Sequence, residues 1–148
     1  MERVKFNGKD FLAASLWSAI WVGISELARY FLLVRPVQIE YFADIIPEMG
    51  EMSQPVTLIG WTIFSLILIA MFTFIFWLCA NVYGNNAKAV WVSGVTSWTM
   101  FFVLLWIALP TMHLSSWDIV PMVLPLALLE TVVASYICSK VYAKRGLK

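Results

Sequence analysis

Four long apolar runs, separated by short polar stretches, set the pattern of this chain. They extend from Phe11 to Val34, from Pro55 to Val82, from about Lys88 to Pro110, and from Trp117 to about Tyr142. No charged residue occurs between Glu51 and Lys88. Wound as a helix with ~1.5 Å of rise per residue, each run crosses the ~30 Å hydrocarbon core of a bilayer. The second exceeds that thickness, so a tilt or a protruding end is expected. The pattern predicts an all-α fold, with four transmembrane helices in an antiparallel bundle and a single domain over residues 1–148. The first run is too long for the apolar part of a cleaved signal. Glu26 also stands where a small residue would be needed for cleavage after Ala28, so the run is read as a retained span.

The polar stretches punctuate the runs. Tyr83-Gly84-Asn85-Asn86 is a tight turn by composition, and Thr111–Ser116 a short loop. Pro121 and Pro125 fall in or just before the first turns of the fourth run, where a missing amide donor costs least. The one long connection covers residues 35–54. Pro36 suits a helix start there. Val37, Tyr41, Ile45 and Met49 recur every fourth residue, while Glu40, Asp44, Glu48 and Glu51 align on the other side. That is the pattern of a short amphipathic helix on the membrane surface, interrupted at Pro47. The four acids are read as a solvated face in preference to a cation site, because no turn geometry fixes them as in a calcium loop.

Helices in lipid associate through close packing and polar contacts, so small residues four apart mark the contact faces. Ala14, Ser18, Ala19 and Gly23 form such a face in the first run, and Ser93, Gly94 and Ser97 in the third. Ala127, Thr131, Ser135 and Ser139 form one in the fourth, with Glu130, Ala134 and Cys138 alongside. The second run has few small residues beyond Gly60, Ser65 and Ala70. Its Phe64, Phe72, Phe74 and Phe76 suggest contact with lipid, leaving the first, third and fourth helices closest.

Composition agrees with this class. Of 148 residues 61% are hydrophobic and 13% charged, with a mean hydropathy of +0.83. Soluble domains carry about 25% charged residues. No basic patch lies on a soluble element, which argues against nucleic acid as a partner. The positions of the charges give an orientation. With the N-terminus inside, Arg3, Lys5, Lys9, Lys88, Lys140, Lys144, Arg145 and Lys148 fall on the inner side and only Arg35 on the outer. Both termini are therefore expected in the cytoplasm, with the acidic stretch outside. Trp61, Trp91 and Trp117 near span ends suit the two interfaces. The absence of an Asn-x-Ser/Thr sequon fits a bacterial inner membrane.

The candidate chemistry lies in the spans. Glu130 is a lone carboxylate, flanked by uncharged residues from Ile119 to Leu129 and from Thr131 to Ser139. The first span holds Glu26 and Arg29, three apart and so neighbours on one helix face. Counted from the outer ends, Glu26 lies roughly 12 Å deep and Glu130 roughly 14–20 Å deep, so the two acids share a layer. Charge in hydrocarbon costs several kcal/mol and turns inward toward a partner. One guanidinium cannot neutralise two carboxylates, and the unpaired one is a candidate to bind and release a proton. The competing reading is that Arg29 pairs with Glu130, and Glu26 pairs locally, only to fix which helices touch. Tyr30, Thr131, Ser135 and Tyr136 are the candidate supporting hydrogen-bonding groups in either case.

Other chemistry finds little support. His113 is the lone histidine and falls in an outer loop, so neither haem nor metal is expected. Cys79 and Cys138 lie near span ends on the side where thiols stay reduced, and packing is preferred to a redox pair. No nucleophile–base pair, Cys-x-x-Cys or glycine-rich phosphate loop occurs, so an enzyme is not expected and no cofactor is implied. A glutamate in the first of four spans is similar to the small multidrug transporters. The chain departs from them in its length, its acidic connection, Arg29 and Glu130, and no function is carried over. Two functional expectations follow. The first is an accessory or assembly subunit of a membrane complex, with other membrane proteins or a second copy of itself as partners. The second is a proton-coupled small-solute transporter using Glu130 and Glu26 with Arg29.

Overall fold

A computed structural model describes residues 6–42 and 55–144. Within them the chain is all-helical, with no strand. Four helices are long and apolar enough to cross a membrane, which marks an integral membrane protein: α1 (Gly8–Phe42), α2 (Pro55–Tyr83), α3 (Ala87–Thr111) and α4 (Trp117–Lys144).

Local chemistry explains the ends. The Asn7 side chain accepts from the Lys9 amide at the start of α1, and the Asn86 side chain from the Ala89 amide at the start of α3. These caps satisfy orphan donors of the first turn. The α2–α3 turn falls where the sequence places it. Gly84 takes a φ of +79° there, open to glycine without a Cβ penalty. Asn85 and Ser139 bind each other twice, Ser139 Oγ donating to Asn85 Oδ1 (2.6 Å) and Asn85 Nδ2 to the Ser139 carbonyl (3.0 Å), which ties this turn to α4. α3 ends with His113 at a φ of 58°, the Leu114 amide donating to the Leu109 carbonyl at 2.8 Å. The lone histidine thus serves as the left-handed stop of a helix.

Two helices depart from regular winding. The Arg35 amide donates to the Tyr30 carbonyl and the Leu104 amide to Thr99, five residues back in each case, so α1 widens into a π-helical turn at Tyr30–Val34 and α3 at Trp98–Val103. The break expected after Val34 is absent. The helix expected from Pro36 does form, but it continues α1 to Phe42 without a gap. The ring of a proline inside a helix crowds the carbonyl four residues earlier, here Leu32, and the widened turn falls at that place. Of the acidic stripe, Glu40 is exposed on this segment, whereas Asp44, Glu48 and Glu51 lie outside the described residues.

Burial departs from that of a soluble protein. Ser18, Thr73, Ser93, Ser97, Thr131 and Ser135 are buried, while Leu12, Leu16, Ile20, Ile24, Ile63 and Leu66 face outward. Lipid covers apolar groups at little cost, so small and polar groups fill the helix contacts. α4 packs against all three other helices, and α2 against both α1 and α3. The expectation for α2 is therefore corrected. Phe64 and Phe74 are exposed, but Phe72 and Phe76 are core residues at 1% and 0% exposure. Phe76 packs in a cluster with Ala14, Ala89 and Cys138, so the small residues of neighbouring helices leave the space that its ring fills. Gly94 marks the tightest approach: a Cβ there would stand 2.8 Å from Val132 Cγ2 and 2.9 Å from Val132 Cα on α4.

Candidate functional site

Glu26 and Glu130 each stand near the middle of their helices, on stripes buried by periodicity. Ala14, Ser18, Val22, Glu26 and Arg29 form the buried face of α1, and Glu130, Thr131, Ala134, Ser135 and Cys138 that of α4. At ~1.5 Å per residue Glu130 is roughly 20 Å from either end of α4. All three ionisable groups are withdrawn from solvent, with exposures of 5% for Glu26, 8% for Arg29 and 0% for Glu130.

The guanidinium of Arg29 bridges the two acids. Its Nη1 donates to Glu130 Oε2 at 2.7 Å and its Nη2 to Glu26 Oε1 at 3.3 Å. Each acid also receives a hydroxyl. Ser25 Oγ donates to Glu130 Oε2 at 2.7 Å, and Ser65 Oγ on α2 donates to Glu26 Oε2 at 3.1 Å. The Arg29 carbon Cζ lies 4.7 Å from the centroid of the Phe102 ring on α3, within cation–π range. Trp21 Nε1 donates to the backbone carbonyl of Glu130 at 3.1 Å, pinning that turn of α4 to α1. All four helices thus meet at one buried cluster. One oxygen is left over: Glu130 Oε1 is buried without a hydrogen-bond partner.

Beside the cluster lies a cavity of about 200 Å³ lined by Glu26, Arg29 and the rings of Tyr30, Trp61, Phe64, Phe101, Phe102 and Trp106. Its walls come from α1, α2 and α3, and among the described residues its charged groups are Glu26 and Arg29.

The structure brings Glu26, Arg29 and Glu130 together but assigns the supporting groups differently. Tyr30 lines the cavity, its ring centroid 6.0 Å from that of Trp61. Thr131 Oγ1 donates to the Leu128 carbonyl of its own helix, and Ser135 Oγ is buried without a partner. Tyr136 is exposed beneath Lys140, whose Nζ lies 5.0 Å from the ring centroid. The hydroxyls that do reach the carboxylates are Ser25 and Ser65. Ser25 was signalled only by its place beside Glu26, and Ser65 only as one of the few small residues of α2. Cys79 and Cys138 belong to one cluster as free thiols, Cys138 sharing a 3.2 Å hydrogen bond with Ser18 Oγ. Among the described residues no three His, Cys, Asp or Glu side chains converge as a metal ion would require.

No family model matches the sequence, and no curated protein or solved structure matches it.

Proposed function

We propose that the chain is a multi-pass protein of a bacterial inner membrane, an antiparallel bundle with both termini in the cytoplasm, that acts as a proton-coupled carrier of a small solute. The observation that carries this reading is the unequal charge of the buried cluster beside a cavity. Two carboxylates face one guanidinium, and Glu130 Oε1 has no donor. An uncompensated charge amid hydrocarbon costs several kcal/mol, so the cluster is neutral only with one proton or one small cation aboard. Glu26 and Arg29 belong at once to this cluster and to the cavity wall, so a solute entering there alters the partners that hold the proton. Binding of the two is then linked, which is the thermodynamic requirement for coupling.

A second reading, an accessory or assembly subunit of a membrane complex, is favoured by the convergence of all four helices on the same cluster. That is how a static clamp would be built. Proteoliposomes separate the two. An imposed pH gradient is followed with an entrapped dye, with and without a panel of small amphiphilic solutes, for the wild type and Glu130→Gln. Solute-dependent proton entry that Glu130→Gln abolishes while the protein stays folded supports the carrier. Wild-type vesicles that hold their gradient against every solute support the accessory subunit.

A further inference from the structure

The seam between α1 and α4 carries a second feature, on the outer surface of the bundle. On its lipid-facing side α1 presents Ala13, Trp17, Trp21, Ile24 and Ala28, three or four residues apart, and α4 presents Leu126 and Leu129 and, two turns on, Ile137, Lys140 and Lys144. These stripes line two grooves in sequence. One lies at the start of α1 and the end of α4 and holds Lys140 and Lys144, both exposed. The other lies farther along the seam, beside residues 21–33 of α1, and is walled by Ile24, Leu32, Leu126 and Leu129, with Ser25 and Arg29 of the charged cluster also lining it. The seam is therefore basic at one end and mostly apolar beyond it, Arg29 being, among the described residues, the one charged residue that lines the second groove.

We infer that it binds a single anionic phospholipid, phosphate against Lys140 and Lys144 and one acyl chain laid over Trp17 toward Leu129. The dimensions agree. Lys140 to Leu129 spans about 16 Å of helix at ~1.5 Å per residue, and one leaflet of a ~30 Å hydrocarbon core is about 15 Å deep. The lysines stand four apart on one face and so converge on a single anion. Lys140 and Lys144 both line the groove, and the Lys140 Nζ also lies 5.0 Å from the Tyr136 ring centroid. The acidic residue of α1 at this end, Asp10, is engaged by the Asn7 amide at 2.9 Å. Basic pockets between spanning helices recognise anionic headgroups by this arrangement.

The test uses the full chain purified in mild detergent, with lipid binding read by native mass spectrometry and thermal unfolding. Phosphatidylglycerol is expected to bind and raise the melting temperature, while phosphatidylcholine of the same chain length does neither. Lys140→Gln with Lys144→Gln is expected to bind about thirtyfold more weakly, the factor for two lysines at an anionic surface. Trp17→Ala weakens phosphatidylglycerol with both lysines present. Equal binding of the two lipids by the wild type overturns the inference whether or not the lysine variant folds. Full displacement by inorganic phosphate also overturns it, since the site would then read the anion alone. So does a Trp17→Ala variant that dissociates a dimer while retaining its lipid, which would make the seam a contact between copies.

Discussion

Arg29 Nη1 and Glu130 Oε2 lie 2.7 Å apart, joining the middles of the first and last helices inside the bundle. The same guanidinium reaches Glu26 at 3.3 Å, so removing it strands two carboxylates at once. Breaking a buried pair from one side costs about 3–5 kcal/mol, whereas replacing the whole set by apolar groups of similar volume is often neutral. Arg29→Met is therefore expected to unfold the protein several kcal/mol more readily. The triple variant Arg29→Met, Glu26→Leu, Glu130→Leu should recover most of that loss. Reversible unfolding in mixed micelles measures both, and a triple variant as unstable as Arg29→Met would contradict this account of the cluster.

The two serines should not be equivalent. Either change leaves its carboxylate one bond to Arg29, but the Ser25 bond is shorter, 2.7 Å against 3.1 Å for Ser65, and Glu130 is 0% exposed against 5% for Glu26. Hydrogen bonds to charged groups contribute about 1.5–3 kcal/mol, so Ser25→Ala should fall at the upper end and Ser65→Ala at the lower. Thermal unfolding of the two single variants gives the order directly.

Gly94→Ala adds a Cβ into the backbone of α4, with Val132 Cα at 2.9 Å as well as Cγ2 at 2.8 Å. Overpacking costs about 1–3 kcal/mol. Val132→Ala removes the Cγ2 clash but not the Cα clash, so it should rescue Gly94→Ala only in part. Full rescue would mean that the helices stand farther apart.

His113 holds a φ of 58° at the end of α3. A side chain in the left-handed region costs about 1–2 kcal/mol, and glycine escapes this at some expense in unfolded-state entropy. His113→Gly is expected to stabilise by about 0.5–1 kcal/mol, and His113→Val to destabilise. Melting temperatures of the pair check the sign.

Cys138 is 0% exposed, whereas Cys79 is half-buried. A maleimide should label Cys138 only as the bundle opens, so in a Cys79→Ser background its labelling rate reports opening of the α1–α4 contact. Labelling at the rate of a free thiol under native conditions would refute the packing described around Ser18.

The charged cluster is legible in the sequence because Glu26, Arg29 and Glu130 are the charges that fall deep inside apolar runs, a placement too costly to be left without partners. Ser25, Ser65 and Phe102 are of types common in membrane spans, and only the packing shows which of them face inward. Phe72 and Phe76 are ambiguous in sequence for the same reason: an apolar ring is at home in lipid or in a core. Pro36 is compatible with a helix start, but the continuity of α1 through it depends on a widened turn that no apolar period displays.

Those widened turns have a mechanical consequence. Tyr30 and Phe102 belong to the two π-helical turns, and Arg29 joins the end of one to the ring borne by the other. α1 and α3 are thus each two regular segments joined at a widened knuckle, both knuckles in the layer of the charged groups. Leu105 and Trp106 wall the cavity from beyond a knuckle, Val34 and Phe101 from within the two, and Glu26 from before. Flexing these joints would change the size of the chamber while the tightly seated contacts around Phe76, Gly94 and Cys138 stayed in place.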